Sequence, residues 1–346
     1  MSSSATFEHT DDLDAINQLY RERRWSDGLP IVPPTRERVA RMLACTKRKP
    51  DEVVAKLAPG FGEATVERIA INAVMAGCDP EYLPVLIAAT SAVAEPQFNL
   101  QGVEATTNPA AVWLVLNGPI VQKLGVNATY NCLGQGTWAN ATLGRAMRLI
   151  LQNIGGALPG DMDRATQGQP AKYMLCCGEN EAQSPWEPLH VERGFDRAAS
   201  TVTVVAAEGT LNMNTHSKEA NELLRIIAEC MTHPASNEYC HGGDPWVVLA
   251  PEHADILKAG GFSKRDIKQR LFELTKMSAR HLGPKELLRA QASRAEEYGE
   301  IQPHTLLSMA HTPEDFWLIV AGGPGTHSVY VPCFGNSRAV TRVIED

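Results

Sequence analysis

The chain has 346 residues, of which 44% are hydrophobic and 21% charged, and a net charge of -8. These proportions describe a globular protein with room for one large domain or two ordinary ones. The acidic balance and the lack of a basic stripe exclude a general nucleic-acid role. No apolar run approaches the roughly 20 residues needed to span a bilayer.

The start, Met1-Ser-Ser-Ser-Ala-Thr6, is polar and followed by acids, unlike a secretory signal. A cytoplasmic, bacterial protein is the expectation. The eight cysteines form no C-x-x-C pair, which argues against a zinc ribbon or a thioredoxin-type site. In a reducing compartment most of them serve as small buried hydrophobes.

The first expected element is a short helix from Asp11 to Arg23. Trp25-Ser-Asp27-Gly28-Leu-Pro30 reads as a turn, and Pro33-Pro34 forces an extended segment. Thr35 caps a helix reaching about Cys45. Val66, Ile69, Ala70, Ala73 and Val74 recur at helical spacing, so 64–76 is a helix closed by Gly77. Asp79 and Pro80 open another, running to about Ala94. Leu143, Ala146, Met147, Ile150, Leu151 and Ile154 mark a helix that Gly155-Gly156 stops, with Arg145, Arg148 and Gln152 on its outer face. Thr201–Ala207 is a β-branched strand and 217–231 a helix. Further helices are expected at 252–259, 263–274 and 284–298.

Three segments share one shape: Trp113-Leu-Val-Leu-Asn-Gly-Pro119, Trp246-Val-Val-Leu-Ala-Pro251 and Trp317-Leu-Ile-Val-Ala-Gly-Gly-Pro324. Each reads as a buried strand opened by Trp and ended by a Pro turn, which suggests a degenerate internal repeat. Repeated strands of this kind would bring their end loops to one site, as in open α/β sheets. The expected class is α/β or α+β, with mixed sheets and flanking helices. The expected divisions are an N-terminal extension and arm at 1–60, a polar-pocket domain at 61–196 and a second α/β domain at 197–346.

Residues 99–186 are rich in amides, hydroxyls and glycine and poor in charge. Buried amides and hydroxyls are costly without partners, so such a run points to a preorganised polar pocket. Asn108, Asn117 and Asn131 are candidate substrate binders, although Asn108-Pro109 and Asn117-Gly118 are also ordinary turn pairs. Gly134-Gln-Gly136 can bring backbone N–H groups to an anion at a helix N-terminus, with Arg145 one turn in; the alternative is a tight structural loop. The G-x-G-x-x-A match there lacks an apolar first strand, so a dinucleotide site is not expected.

Cys78 stands between the cap of one helix and the start of the next. A helix N-terminus lowers a thiol pKa, whereas Asp79 beside it raises it; the plain alternative is a small residue at a tight corner. Glu179 and Glu181 can act as general base and orienter, can ligate a metal, or are ordinary loop charges, with His190 and Glu192 following closely. His253 follows the second Trp strand. Cys78, His241, His253 and His327 would form a Cys/His site if the fold gathered them.

Three motifs resemble a known bacterial family: Trp25-Ser-Asp-Gly-Leu-Pro-Ile-Val-Pro-Pro-Thr35, Ala64 to Pro84, and Ser184-Pro-Trp-Glu-Pro188. Members of that family accompany or carry a small redox-like module named for its selenocysteine- or cysteine-Gly-Ser-Cys (UGSC) motif. The resemblance covers most of 25–325 and implies that 64–84, with Cys78, belongs to the characteristic core. This chain has no Cys-Gly-Ser-Cys. Either the module is a separate thiol protein that partners this chain, or the redox association does not extend to it.

Together these readings give an enzyme acting on a small polar organic molecule by hydrolytic or eliminative cleavage of a carbon–heteroatom bond. Catalysis falls to Cys78, Glu179, Glu181 and His253. Binding falls to Asn108, Asn117, Asn131, Gly134, Gly136 and Arg145. The alternatives are a metal-dependent lyase or hydratase, and a non-catalytic binding subunit serving a thiol redox partner. No cofactor is identified by the sequence, and a homodimer is the expected assembly.

Overall fold

A computed structural model describes residues 4–345. The strands are β1 (Val53–Leu57), β2 (Gly62–Thr65), β3 (Ala111–Asn117), β4 (Cys176–Gly178), β5 (Thr201–Ala207) and β6 (Leu211–Asn214), followed by β7 (Trp246–Leu249), β8 (Met277–Ser278), β9 (Leu306–Leu307), β10 (Trp317–Val320), β11 (His327–Val331) and β12 (Val340–Val343). Two four-stranded mixed sheets carry the fold. The first has the order β12-β5-β3-β4 and the second β10-β7-β11-β6. The pairs β1/β2 and β8/β9 are small antiparallel additions.

Period-2 alternation sorts each strand between two cores. Val112, Leu114, Leu116, Val202, Val204 and Ala206 pack with the helices Val66–Ala76, Leu83–Val93 and Trp138–Asn153. Val247, Leu249, Leu318, Val320 and Tyr330 pack with Ala220–Met231 and its neighbours. Between the sheets lies a third core of Trp113, Val115, Cys177, Val205, Trp246, Val248, Trp317, Ile319 and Val331. The layers therefore run helix, sheet, sheet, helix. Strands covered on both faces read as unbroken apolar runs, as the three Trp segments do.

The repeat takes a specific form. In each sheet one Trp strand (β3 or β7) has a parallel neighbour (β4 or β10) on one side and an antiparallel neighbour (β5 or β11) on the other. A fourth strand then pairs antiparallel with β5 or β11. That fourth strand is exchanged: β6 follows β5 but joins the second sheet, and β12 follows β11 but joins the first. Trp113 pairs with Val205 and Trp246 with Val331, so Ala207 and Cys333 are equivalent positions. They pair with each other. Around them Glu208 N donates to Pro332 O at 2.7 Å and Phe334 N to Ala206 O at 2.9 Å, again equivalent positions. Trp113 and Trp246 meet edge-on with centroids 5.1 Å apart. The third echo, Trp317, belongs to the parallel neighbour β10 and stacks on Trp246.

Sheet pairing crosses the expected division at 196/197. That cut separates β4 from β5, which flank β3 in one sheet. The outer face expected for Arg145, Arg148 and Gln152 is also covered. Arg145 clamps Asp27 through two bonds of 2.8 and 2.9 Å, Gln152 donates to the carbonyls of Arg24 and Ser26, and Arg148 pairs with Glu104. The segment around 24–30 is thereby held against the Trp138–Asn153 helix. Gly144 allows that helix to approach β4 closely, because a Cβ there would lie 2.6 Å from Leu175 N. Among the described residues no helix is long and apolar enough to cross a membrane.

Candidate functional site

β3 and β4 are parallel neighbours, and Asn117 and Glu179 stand at their C-terminal ends. Asn117 Nδ2 donates to Glu179 Oε2 at 2.5 Å, and Leu189 N donates to the same oxygen at 2.7 Å. Glu181 Oε1 accepts from Gly118 N at 2.7 Å and from Asn117 Nδ2 at 3.2 Å. His190 Nδ1 lies 3.7 Å from that oxygen. Thr201, the register partner of Asn117, begins β5 beside them.

Lys264, at the first turn of the Lys264–Leu274 helix, enters from the other half of the chain. Its Nζ is 3.8 Å from Glu179 Oε1 and 3.1 Å from Glu192 Oε2, and Lys268 also pairs with Glu192.

Four polar atoms of this cluster are buried without a hydrogen-bond partner: Asn117 Oδ1, Glu179 Oε1, His190 Nδ1 and Thr201 Oγ1. Structural networks satisfy such atoms, because each orphan costs about 1–3 kcal/mol. Several orphans gathered at strand ends are the pattern of a site that completes its bonds with a bound molecule.

The electrostatics are asymmetric. Burial raises the Glu179 carboxyl above the usual carboxylate range, and Glu181 adds to this; Lys264, Leu189 N–H and Asn117 pull the other way. Burial pushes Glu192 up too, but Lys264 and Lys268 overcome it and hold the carboxyl below its ordinary value. One carboxyl thus holds its proton more firmly than usual while the other is kept charged, the environmental splitting that acid–base sites use.

The other expected residues lie elsewhere. Cys78 is buried, lies 3.3 Å from Thr142 O as a thiol donor, and is pushed up to about 12 by burial. The thiolate expected at the helix start is not supported, since desolvation outweighs the dipole. Arg145 is consumed by Asp27 and the carbonyls of Leu29 and Pro30. Asn108 closes a turn on Thr106. Asn131 adopts φ 58 and bonds Gln135 O within its own loop, and Gly134 N donates to Asn131 O. Gly136, at φ 114, completes that loop. The loop is thus closed on itself, and the carboxylate expected between Gly134, Gly136 and Arg145 loses its cation.

His253 is locked between Ser328 Oγ at 2.8 Å and Thr215 O at 3.1 Å, and burial lowers its pKa. His241 bonds Ser293 and His327 bonds Asn212. Cys78, His241, His253 and His327 are therefore separately engaged. Among the described residues no group of three or more His, Cys, Asp or Glu is placed to hold a metal ion.

Asn117, Glu179 and Glu181 are thus the expected residues that the fold brings together. His190 follows them in sequence. Lys264 and Thr201 carried no local signal, because only the packing of the second half against β4 and the pairing of β3 with β5 bring them in.

No protein-family model matches this sequence, and no curated protein is significantly similar to it.

Proposed function

We propose that the chain is an enzyme that cleaves a carbon–heteroatom bond of a small polar molecule, by hydrolysis or elimination, at the Asn117–Glu179–Glu181–His190 cluster. The supporting observation is the set of four orphaned buried polar atoms converging there. Among the orphans, Asn117 Oδ1 is an acceptor suited to a substrate hydroxyl, amine or amide N–H, and Glu179 Oε1 is the oxygen left to carry a proton, because Oε2 already accepts two N–H groups. His190 Nε2 lies 3.3 Å from Arg197 O. With the proton on Nε2 donating to that carbonyl, Nδ1 carries the lone pair and serves as base.

Glu179, raised by burial, is the proton donor to the leaving group. Glu181, 3.7 Å from Nδ1, stabilises the imidazolium formed when His190 takes up a proton, and Lys264 supplies positive charge to a developing anion. Cys78 has no role in this chemistry.

The test is turnover of a panel of esters, amides, hydroxy acids and amino acids, read by product mass, with wild type, Glu179→Gln and His190→Asn. A substrate turned over by wild type and lost by about 100-fold in either variant supports the reading. Undiminished turnover in both variants sinks it.

A further inference from the structure

Phe61 stands at the tip of the β1/β2 hairpin with a left-handed backbone, φ 56, and 61% of its surface exposed. Both facts run against the residue type. A bulky side chain at positive φ is strained, and a phenyl ring left in water recovers nothing for it. The flanking glycines fix the tip. Gly60 N donates to Gly155 O at 2.7 Å, and a Cβ on Gly62 would collide with Ile154 O. The hairpin is thereby pressed onto the end of the Trp138–Asn153 helix, and Phe61 projects from a rigid base. Beside the ring lies an open groove of about 230 Å³ with an apolar lining of Ala58, Ala94, Pro96 and Leu100. Asn99, in the same lining, is spent on Gly102 N and Asn336 O. Apolar space of about 150 Å³ already accommodates benzene, so the groove has room for a second phenyl ring.

We propose that this patch is the interface of a twofold dimer of the chain, with Phe61 of each copy seated in the groove of its partner. The occupant follows from the patch itself. A projecting ring and a groove that fits it lie side by side on one surface, and such a patch is complementary to its own twofold-related copy. The charges agree. Lys56 belongs to the hairpin that carries Phe61, whereas Glu95 lies two residues past the Leu83–Val93 helix, and both line the groove. Seating the hairpin of one copy in the partner's groove carries Lys56 toward the partner's Glu95, and the twofold repeats the pair. Lys56 meets Glu63 at 3.5 Å with both side chains more than half exposed, and Glu95 pairs with Arg342 where both are partly exposed. These surface pairs can admit a second partner.

Phe61 borders the groove of its own copy, so the two rings pack against each other near the axis. Burial of both rings offsets the strained backbone that presents them. The interface uses none of the residues of the Asn117–Glu179 cluster, and the proposal does not depend on the acid–base reading.

The experiment is sedimentation equilibrium of the full-length protein across the micromolar range, with Phe61→Gly, Lys56→Glu, Glu95→Lys and the double charge reversal. Wild type is expected to dimerise in that range. Phe61→Gly is expected to weaken association by about 1000-fold, about 30-fold for each of the two copies of a buried aromatic anchor. Its unfolding free energy in denaturant, compared with wild type where both are monomeric, is expected not to fall, because glycine accepts the positive φ. Each single reversal is expected to weaken association by roughly tenfold, and the double reversal to restore it. A wild type that stays monomeric throughout overturns the proposal. So does a folded Phe61→Gly protein that dimerises as well as wild type, or a double reversal that associates no better than either single variant. If Phe61→Gly does not fold, the reversal series decides.

Discussion

Asn117 Nδ2 lies 2.5 Å from Glu179 Oε2, and this bond joins the C-terminal ends of two parallel neighbouring strands. It leaves Asn117 Oδ1 and Glu179 Oε1 as buried oxygens without hydrogen-bond partners. Lys264 reaches the same carboxylate from the other half of the chain, so both halves must be assembled before the cluster exists.

Lys264 lowers the Glu179 pKa against burial. Lys264→Met removes that cation, so the Glu179 pKa rises further. The limb of the pH–rate profile that reports Glu179 is expected to move to higher pH, and Glu192 keeps Lys268 as its partner. The measurement is kcat/KM against pH for the substrate found by panel screening; an unmoved limb separates Lys264 from Glu179.

Arg145 is a fastener rather than a substrate binder. Its pair with Asp27 is nearly buried, with side-chain exposures of 15% and 3%. Arg145→Met leaves Asp27 uncompensated and is expected to cost about 3–5 kcal/mol in denaturant unfolding. KM is expected to stay unchanged; a raised KM with intact stability contradicts this assignment.

Cys78 is expected to resist iodoacetamide in the native protein, and Cys78→Ala to keep full turnover while losing about 1–2 kcal/mol of stability from lost packing. Loss of turnover in a stable Cys78→Ala protein returns the thiol to the chemistry.

Glu238 is buried against Tyr330 and raised to about 8 from 4.5, with burial the main cause. Here the native state binds the proton more tightly than the unfolded chain, so stability falls as pH rises from 4.5 to about 8. Glu208, raised to about 7, and Asp244, raised to about 6, contribute in the same direction. Glu238→Gln removes its share, so unfolding free energy plotted against pH flattens across that window. An unchanged slope shows that Glu238 does not titrate there.

Much of the local structure was legible because it is written in local chemistry. Thr65 caps the Val66–Ala76 helix and Gly77 ends it at φ 90. The β-branched run at Thr201–Ala207 is a strand along its full length. Short strands without alternation were not legible: Cys176–Gly178 has three residues, and β12 acquires its role only by returning to β5. The Trp echo was visible, but the strand exchange was not, because pairing partners more than 100 residues apart leave no periodic trace. The cluster was half legible for the same reason. Asn117, Glu179 and Glu181 stand out in a polar loop region, whereas Lys264 looks like any lysine opening a helix.

The most direct measurement is the thermal unfolding of Glu179→Gln at neutral pH, beside its turnover. A buried carboxyl kept for chemistry strains the fold, so its neutral isostere is expected to match or exceed the wild-type Tm while turnover collapses. A Tm lowered by several degrees with turnover retained would mean that Glu179 only holds β4 to β3, and the acid–base site would have to be abandoned.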